Sequence, residues 1–396
     1  MIRVSERLPT ILVLGTTQTL AWASSYYLPA ILGDAIARDL GVPASWLFGA
    51  FSASLLLAAV LGPRIGRTID SFGGRGVLSA SNIVFALGLA GLGLSPSFWI
   101  ASIAWLLLGL GMGLGLYDAA FAALGRIYGP GARSSITGIT LLAGFASTIG
   151  WPLSAWGLAH FGWRETCFAW AAIHIFVGLP LNLFLLPRTK TVGEEHRDRK
   201  PHIPMDRNMW LLAIAFALAW TVAGAMAAHL PRLLEAGGAT ATQAIAAGAL
   251  IGPAQVTARV LEALVLGRAH PLFSARLATV THPIGAALVG VVGGAGVPAL
   301  AFAALHGFGN GIITIARGTV PLAVYGPQNY GYRLGLLGAP ARIAQAVAPL
   351  LFGLLIDWWG FGTLVISSGL SVAALAALML VRKKIQVDEP ATTANG

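Results

Sequence analysis

Stretches of about twenty apolar residues, each bounded by proline, glycine or charge, recur along the chain, and each is long enough as a helix to cross a hydrocarbon layer. They lie at roughly 11–32, 47–64, 76–94, 99–124, 135–158 and 165–186, then at 209–232, 244–267, 276–295, 298–322, 335–356 and 361–381. The two sets of six flank a polar stretch, 188–207, whose Glu194, Glu195, Arg197, Asp198, Arg199 and Lys200 mark a solvated linker. The pattern predicts an all-α membrane protein of twelve transmembrane helices in two six-helix bundles. Residues 1–187 form the first bundle, 188–207 a cytoplasmic linker, 208–385 the second bundle and 386–396 a cytoplasmic tail.

Composition agrees: 56% of residues are hydrophobic and 10% charged, with a mean hydropathy of +0.76, where a soluble domain carries roughly 25% charged residues. The net charge of +10 could indicate a nucleic-acid partner, so the placement of the 25 Lys and Arg decides the matter. With both termini and the linker in the cytoplasm, nineteen fall in cytoplasmic segments and three (Arg38, Arg164, Arg232) in outer loops. This is the positive-inside pattern of a multi-pass protein, expected in a cell inner membrane, and no nucleic acid is needed to explain it. The other three, Arg259, Arg317 and Arg342, fall inside predicted helices.

Arg3 and Arg7 ahead of Ala21-Trp22-Ala23 resemble a cleavable leader, but cleavage would leave eleven helices, so the first span is taken as a helix of the bundle. The single Cys167 excludes an internal disulfide and a cysteine metal cluster. No metal or cofactor is expected. No Gly-x-x-x-x-Gly-Lys-Ser/Thr loop is present for ATP, so uphill movement would draw on a gradient.

The chain repeats itself. Gly109, Gly111 and Gly113 recur as Gly307, Gly309 and Gly311, and Tyr128-Gly129-Pro130 recurs as Tyr325-Gly326-Pro327. Within a span these glycines read as helix-packing positions rather than a nucleotide loop. A repeat of six helices keeps both halves in the same orientation, so they can rock about a site near the midplane.

Between the second and third spans, Gly66, Asp70, Gly73 and Arg75 match the signature of the major facilitator superfamily, which the chain resembles also in topology and repeat. Ser71 and Gly74 depart from it, and the second-half counterpart, Gly267-Arg268-Ala269-His270, is degenerate. The resemblance implies a monomeric secondary transporter working by alternating access. It also implies a cytoplasmic gate at Gly66, Arg67, Asp70, Gly73 and Arg75, and a cavity lined by helices 1, 4, 7 and 10 with help from 2, 5, 8 and 11.

Polar groups inside spans are costly and therefore functional candidates. At 100° per residue, His306, Asn310 and Arg317 share a face about 40° wide, and Gln255, Arg259 and Glu262 share one about 60° wide. Gln18, Trp22 and Ser25 form a similar stripe with Tyr26 beside it, and Arg342 and Gln345 add a fourth helix face. Asp118 and Arg317 occupy nearly equivalent repeat positions and are expected to form an ion pair between the halves. Three arginines against one isolated carboxylate suit an anionic cargo. Arg317, Arg259, Arg342, Gln18, Trp22, Ser25, Tyr26, Asn310, His306 and Gln255 are the expected binding residues, and Asp118 and Glu262 the proton-coupling carboxylates. Tyr27 and Trp220 would add apolar walls, and a basic residue on the eighth helix resembles the monocarboxylate and oxalate-type porters.

Plainer readings stand beside these. Arg259 and Glu262 could neutralise each other, Arg342 could snorkel to the interface, His174 and His282 could serve packing, and His306 could be a hydrogen-bonded structural histidine instead of a proton relay. The expected function is proton-coupled transport of a small organic anion. Its rival is efflux of a drug or metalloid on Asp118, and Gly150-Trp151-Pro152 is only a fragment of the antiporter signature. A membrane sensor or enzyme is the distant alternative, since the histidines are scattered and no nucleophile and base stand together.

Overall fold

The computed structural model describes residues 4–189 and 203–382. Most of the expected linker, its charged run, Arg3, Lys383, Lys384 and the tail 386–396 lie outside the described residues. Among the described residues twelve helices cross the molecule: α1 at 4–39, α2 Ala44–Phe72, α3 Gly74–Gly93, α4 at 98–128, α5 at 133–160 and α6 Trp163–Leu185. The second six are α7 Arg207–Ala236, α8 Ala241–Leu266, α9 Pro271–Val292, α10 Val297–Tyr325, α11 Tyr330–Trp359 and α12 Thr363–Leu380. No strand is present among the described residues, as hydrocarbon requires, because a helix meets its own backbone hydrogen bonds.

Two helical stretches, Phe98–His160 of 63 residues and Tyr330–Leu380 of 51, are too long for one crossing of about 30 Å. Each turns back on itself at a glycine with positive φ, Gly129 at 56° and Gly360 at 53°. The sequence expectation of continuous helices needs refining in the middle of the bundle. Helix α1 carries a π turn at Trp22–Tyr26, α4 breaks at Leu116, and α5 breaks at Gly144 and Phe145.

The repeat is visible in packing. A Cβ on Gly109 would stand 2.5 Å from the Ser54 carbonyl oxygen on α2, and one on Gly307 2.7 Å from the Ile251 carbonyl oxygen on α8. Each repeat glycine thus lets the fourth helix of its set lie backbone-close against the second.

The two sets of six meet along a seam. The side of the molecule bearing Asp70, Arg133, Asp206 and Arg382, here termed the basic side, is tightly joined. Gly66 of α2 meets Gly331 of α11 backbone to backbone, and Gly62 lies against Gly335 and the Arg342 guanidinium. Tyr330 packs against Gly125, and Phe121 against Gly318. Moving away from the basic side, the last hydrogen bond across the seam among the described residues is Gln345 Nε2 to Tyr26 Oη at 2.6 Å, about half-way along α1 and α11. The molecule is therefore closed on the basic side and unlatched on the other.

Candidate functional site

Near mid-depth, both helix breaks expose a carbonyl, and in each case a side chain of the expected site caps it. Gln18 Nε2 donates to Gly115 O at 2.5 Å, at the end of the outer piece of α4, and leaves its Oε1 without a partner. Arg259 Nη1 donates to Thr140 O at 2.9 Å, just before the break in α5, and Nε reaches Gly311 O at 3.5 Å. Gly144 makes room for this guanidinium, since a Cβ there would lie 2.5 Å from Nη1. Arg259 is 4% exposed and has no carboxylate partner among the described residues.

Across from Arg259 stands a wall of rings from the first six helices. Trp22 lies 5.0 Å from both Tyr26 and Tyr117, Tyr26 lies 5.4 Å from Tyr27, and Tyr27 lies 6.0 Å from Trp151. Tyr27 and Tyr117 fall within electrostatic range of Arg259. Neither phenol has a hydrogen-bond partner among the described residues, and the indole nitrogens of Trp22 and Trp220 are likewise unpartnered. A half-buried Gln255 sits on α8 beside Gly311. Ser25, by contrast, donates to Ala21 O of its own helix at 2.5 Å, so its hydroxyl is spent locally.

Nearer the basic side, the break at Leu116 places Asp118 in the first turn of the inner piece of α4, where the helix dipole suits a carboxylate. Arg317 Nη2 donates to Asp118 Oδ2 at 2.6 Å, and Arg342 Nη2 donates to the same oxygen at 2.5 Å. Arg342 does not snorkel: it is 9% exposed and its Nη1 donates to Ala58 O on α2 at 3.0 Å. The Arg317 guanidinium also lies 5.3 Å from the Trp220 ring. Asp118 Oδ1 is buried and unpartnered, and a small cavity bounded by Gly62, Gly113, Gly335 and Arg342 adjoins it. Gly338 leaves room for the pair, since a Cβ there would lie 2.7 Å from Arg317 Nη2 and 2.8 Å from Asp118 Oδ2.

Glu262 is not the partner of Arg259. It bonds Arg133 of α5 at 2.8 Å, and the same guanidinium donates to Leu266 O at 3.0 Å and to Ala269 O. Spacing within one helix suggested the first pairing, but α8 turns π at Glu262–Leu266, and its end meets a basic residue from the other half. Arg133 looked like a topology signal only, because nothing local in sequence announces a partner 129 residues away.

At the signature loop, Asp70 Oδ1 accepts from the Gly331 amide and Oδ2 from the Tyr332 amide, both at 2.8 Å. It thereby caps the first turn of α11 from the opposite half. Gly66 provides the close approach and Gly73 the turn, with φ of 85°. Arg67 and Arg75 are half-buried and make no ion pair among the described residues.

His306 departs from the expected binding face. It is 5% exposed and its Nδ1 lies 3.0 Å from Nδ1 of His282, whose Nε2 lies 3.0 Å from Ser367 Oγ. A tilted helix turns one stripe toward different neighbours at different depths, so His306 meets α9 while Arg317 meets α4. Asn310 lines a cavity of about 30 Å³ beside the histidine pair, with its Oδ1 unpartnered. His174 bonds Ser24 Oγ at 2.7 Å and Asn82 Oδ1 at 2.9 Å, within the first six helices.

Comparison with known proteins follows from this geometry. The model of the Major Facilitator Superfamily matches residues 14–302. A gentisate transporter of Corynebacterium glutamicum is 26% identical over 387 residues, covering 89% of this chain and 84% of that one. Among solved structures, the human organic anion transporter MFSD10 superposes with a TM-score of 0.75 at 19% identity, over 95% of this chain and 100% of that one. The transporter FucP in its outward conformation gives a TM-score of 0.76 at 13% identity, over 94% and 98%. These two share its fold.

Proposed function

The chain belongs to the Major Facilitator Superfamily, and from that premise we propose that it moves a small organic anion by alternating access, coupled to protons, with Arg259 as the anion's seat. One observation carries this reading: a buried guanidinium with only carbonyl acceptors lies within electrostatic range of two phenols, Tyr27 and Tyr117, that have no hydrogen-bond partner among the described residues. A carboxylate there would accept from Arg259 in the planar fork geometry that guanidinium offers. The ring wall of Trp22, Tyr26, Tyr27 and Tyr117 would cover the cargo's apolar part, and Gln18 and Asn310 would present polar atoms to it. The relative that carries gentisate, an aromatic carboxylate, supports an anion of this kind.

In this reading the basic side is cytoplasmic in a cell inner membrane, and Asp70, Arg133 and Glu262 latch it while the site faces outward. Asp118 holds Arg317 and Arg342 together in this state. Its proton-coupling role is to release them as the halves rock, so that the counter-charges are exchanged between states. The protein works as a monomer. Efflux of a cation needs a free carboxylate in the cavity, whereas Asp118 is held by two arginines and Glu262 by Arg133.

The test is uptake into proteoliposomes under an imposed pH gradient, with gentisate, benzoate and tetraphenylphosphonium as cargoes. Gentisate or benzoate uptake that Arg259→Gln weakens supports the anion seat. Uptake of tetraphenylphosphonium alone, indifferent to Arg259→Gln, would overturn it.

A further inference from the structure

The histidine pair on α9 and α10 is a buried titratable group that anion binding leaves unused. Its hydrogen bonds assign its protons. A neutral imidazole carries one N–H, so the 3.0 Å contact between the two Nδ1 atoms has a single direction. If His306 donates, His282 keeps its proton on Nε2 and donates it to Ser367 Oγ at 3.0 Å, and the Ser367 hydroxyl donates to Leu364 O at 3.0 Å. Every donor in that chain then has an acceptor. The opposite direction puts the His306 proton on Nε2, which makes no direct hydrogen bond among the described residues and would depend on water in the adjoining cavity.

In the favoured arrangement His306 Nε2 is a bare base. The same histidine lines the cavity of about 30 Å³, room for one or two waters. Asn310 follows one helical turn later on the side toward Arg317, and its unpartnered Oδ1 opens on that cavity. A proton on Nε2 would reach this oxygen through one water in the cavity. The helices around the pair are α7, α8, α9, α10 and α12; α8 meets α10 at Gly307 and brings Arg259, whose Nε lies 3.5 Å from Gly311 O. The cavity itself receives Ala219, Val222, Thr279, Thr281 and Ser371 from them, and no carboxylate or arginine. The nearest charge along α10 is Arg317, three turns on and bound to Asp118.

We propose that His306 Nε2 is the site of the coupling proton, with His282 and Ser367 as its positioning relay and Asn310 as the acceptor. The proposal rests on the reading of the protein as a proton-coupled anion transporter. It separates the two charges that the cycle must handle: Asp118 trades arginines, and the imidazole carries the proton. A lone imidazolium in an apolar interior is costly, and no carboxylate lines its cavity to offset it. The proton is therefore held best when an anion occupies the Arg259 seat, and by reciprocity the anion is held best when the proton is present.

The experiment compares wild type, His306→Gln, His282→Gln and Asn310→Leu in proteoliposomes, with gentisate as probe and benzoate as second probe. Two readouts are taken: counterflow at equal pH, and accumulation driven by a pH gradient. Melting temperature confirms that each variant is folded. For His306→Gln, gradient-driven accumulation should fall about tenfold or more, at the scale of a coupling free energy between two sites, while counterflow falls much less. His282→Gln and Asn310→Leu should displace the pH profile of accumulation, a change that loss of packing alone does not produce. Undiminished gradient-driven accumulation by His306→Gln, with wild-type proton stoichiometry, would sink the histidine proposal and leave the anion seat standing. If wild type gives counterflow with neither probe, the anion reading fails and takes the proposal with it.

Discussion

Asp118 and Arg317 are 199 residues apart in sequence and meet at 2.6 Å across the seam, at positions the internal repeat makes nearly equivalent. The pair thus joins opposite charges at matching places of the internal repeat. Removing the carboxylate leaves two guanidiniums facing each other with no counter-ion, the situation in which one-sided loss of a buried pair costs about 3–5 kcal/mol. Asp118→Asn should lower the unfolding midpoint in detergent markedly, and Asp118→Asn with Arg342→Gln should recover part of the loss. A single variant as stable as wild type would show that the carboxylate does not neutralise the arginines.

Arg259 behaves differently because it has no counter-ion to lose. Arg259→Gln should leave thermal stability unchanged or raised, yet increase the KM for gentisate or benzoate about ten- to a hundredfold, the scale of a charged hydrogen bond. A fall in stability with an unaltered KM would make it a structural cap of the α5 break.

Opening of the basic side can be followed at Ile136, which is fully buried on α5 against Gly318 of the other half. Cys167 is buried as well, so a cysteine introduced by Ile136→Cys should dominate alkylation by a water-soluble maleimide. Adding Glu262→Gln or Asp70→Asn should accelerate that alkylation about tenfold, as expected for a lost charge-assisted bond. Equal rates would mean that neither carboxylate latches the seam.

Gly66→Ala tests the same closure by steric means. Its Cβ would fall 2.0 Å from the Gly331 carbonyl oxygen, an overlap no rotamer relieves. Overpacking of this sort costs about 1–3 kcal/mol, charged here to the closed state alone. Fast alkylation at position 136 with little transport is expected, and slow alkylation with normal transport would refute it.

The twelve helices were legible because hydrocarbon leaves one solution to a run of twenty apolar residues, and boundaries followed from glycine, proline and charge. The joints were not. Leu116 and Gly144 sit in apolar sequence, and their breaks are held by Gln18 and Arg259 from other helices. Proximity of Asp118 and Arg317 was readable from the repeat, whereas the partner of Glu262 was not, since Arg133 reaches it only through folding. His306 shows the limit of helix periodicity: its angle on α10 was right, but its neighbour is chosen by helix tilt.

The break at Leu116 has a consequence for how much of the protein must move. The inner piece of α4, Tyr117–Tyr128, carries Asp118, while the outer piece, Phe98–Gly115, is buried against α2 and α3 by its glycines. A jointed rod does not transmit torque along its whole length. Rearrangement at the carboxylate can therefore be confined to the twelve residues of the inner piece, with Phe98–Gly115 still seated against α2 and α3.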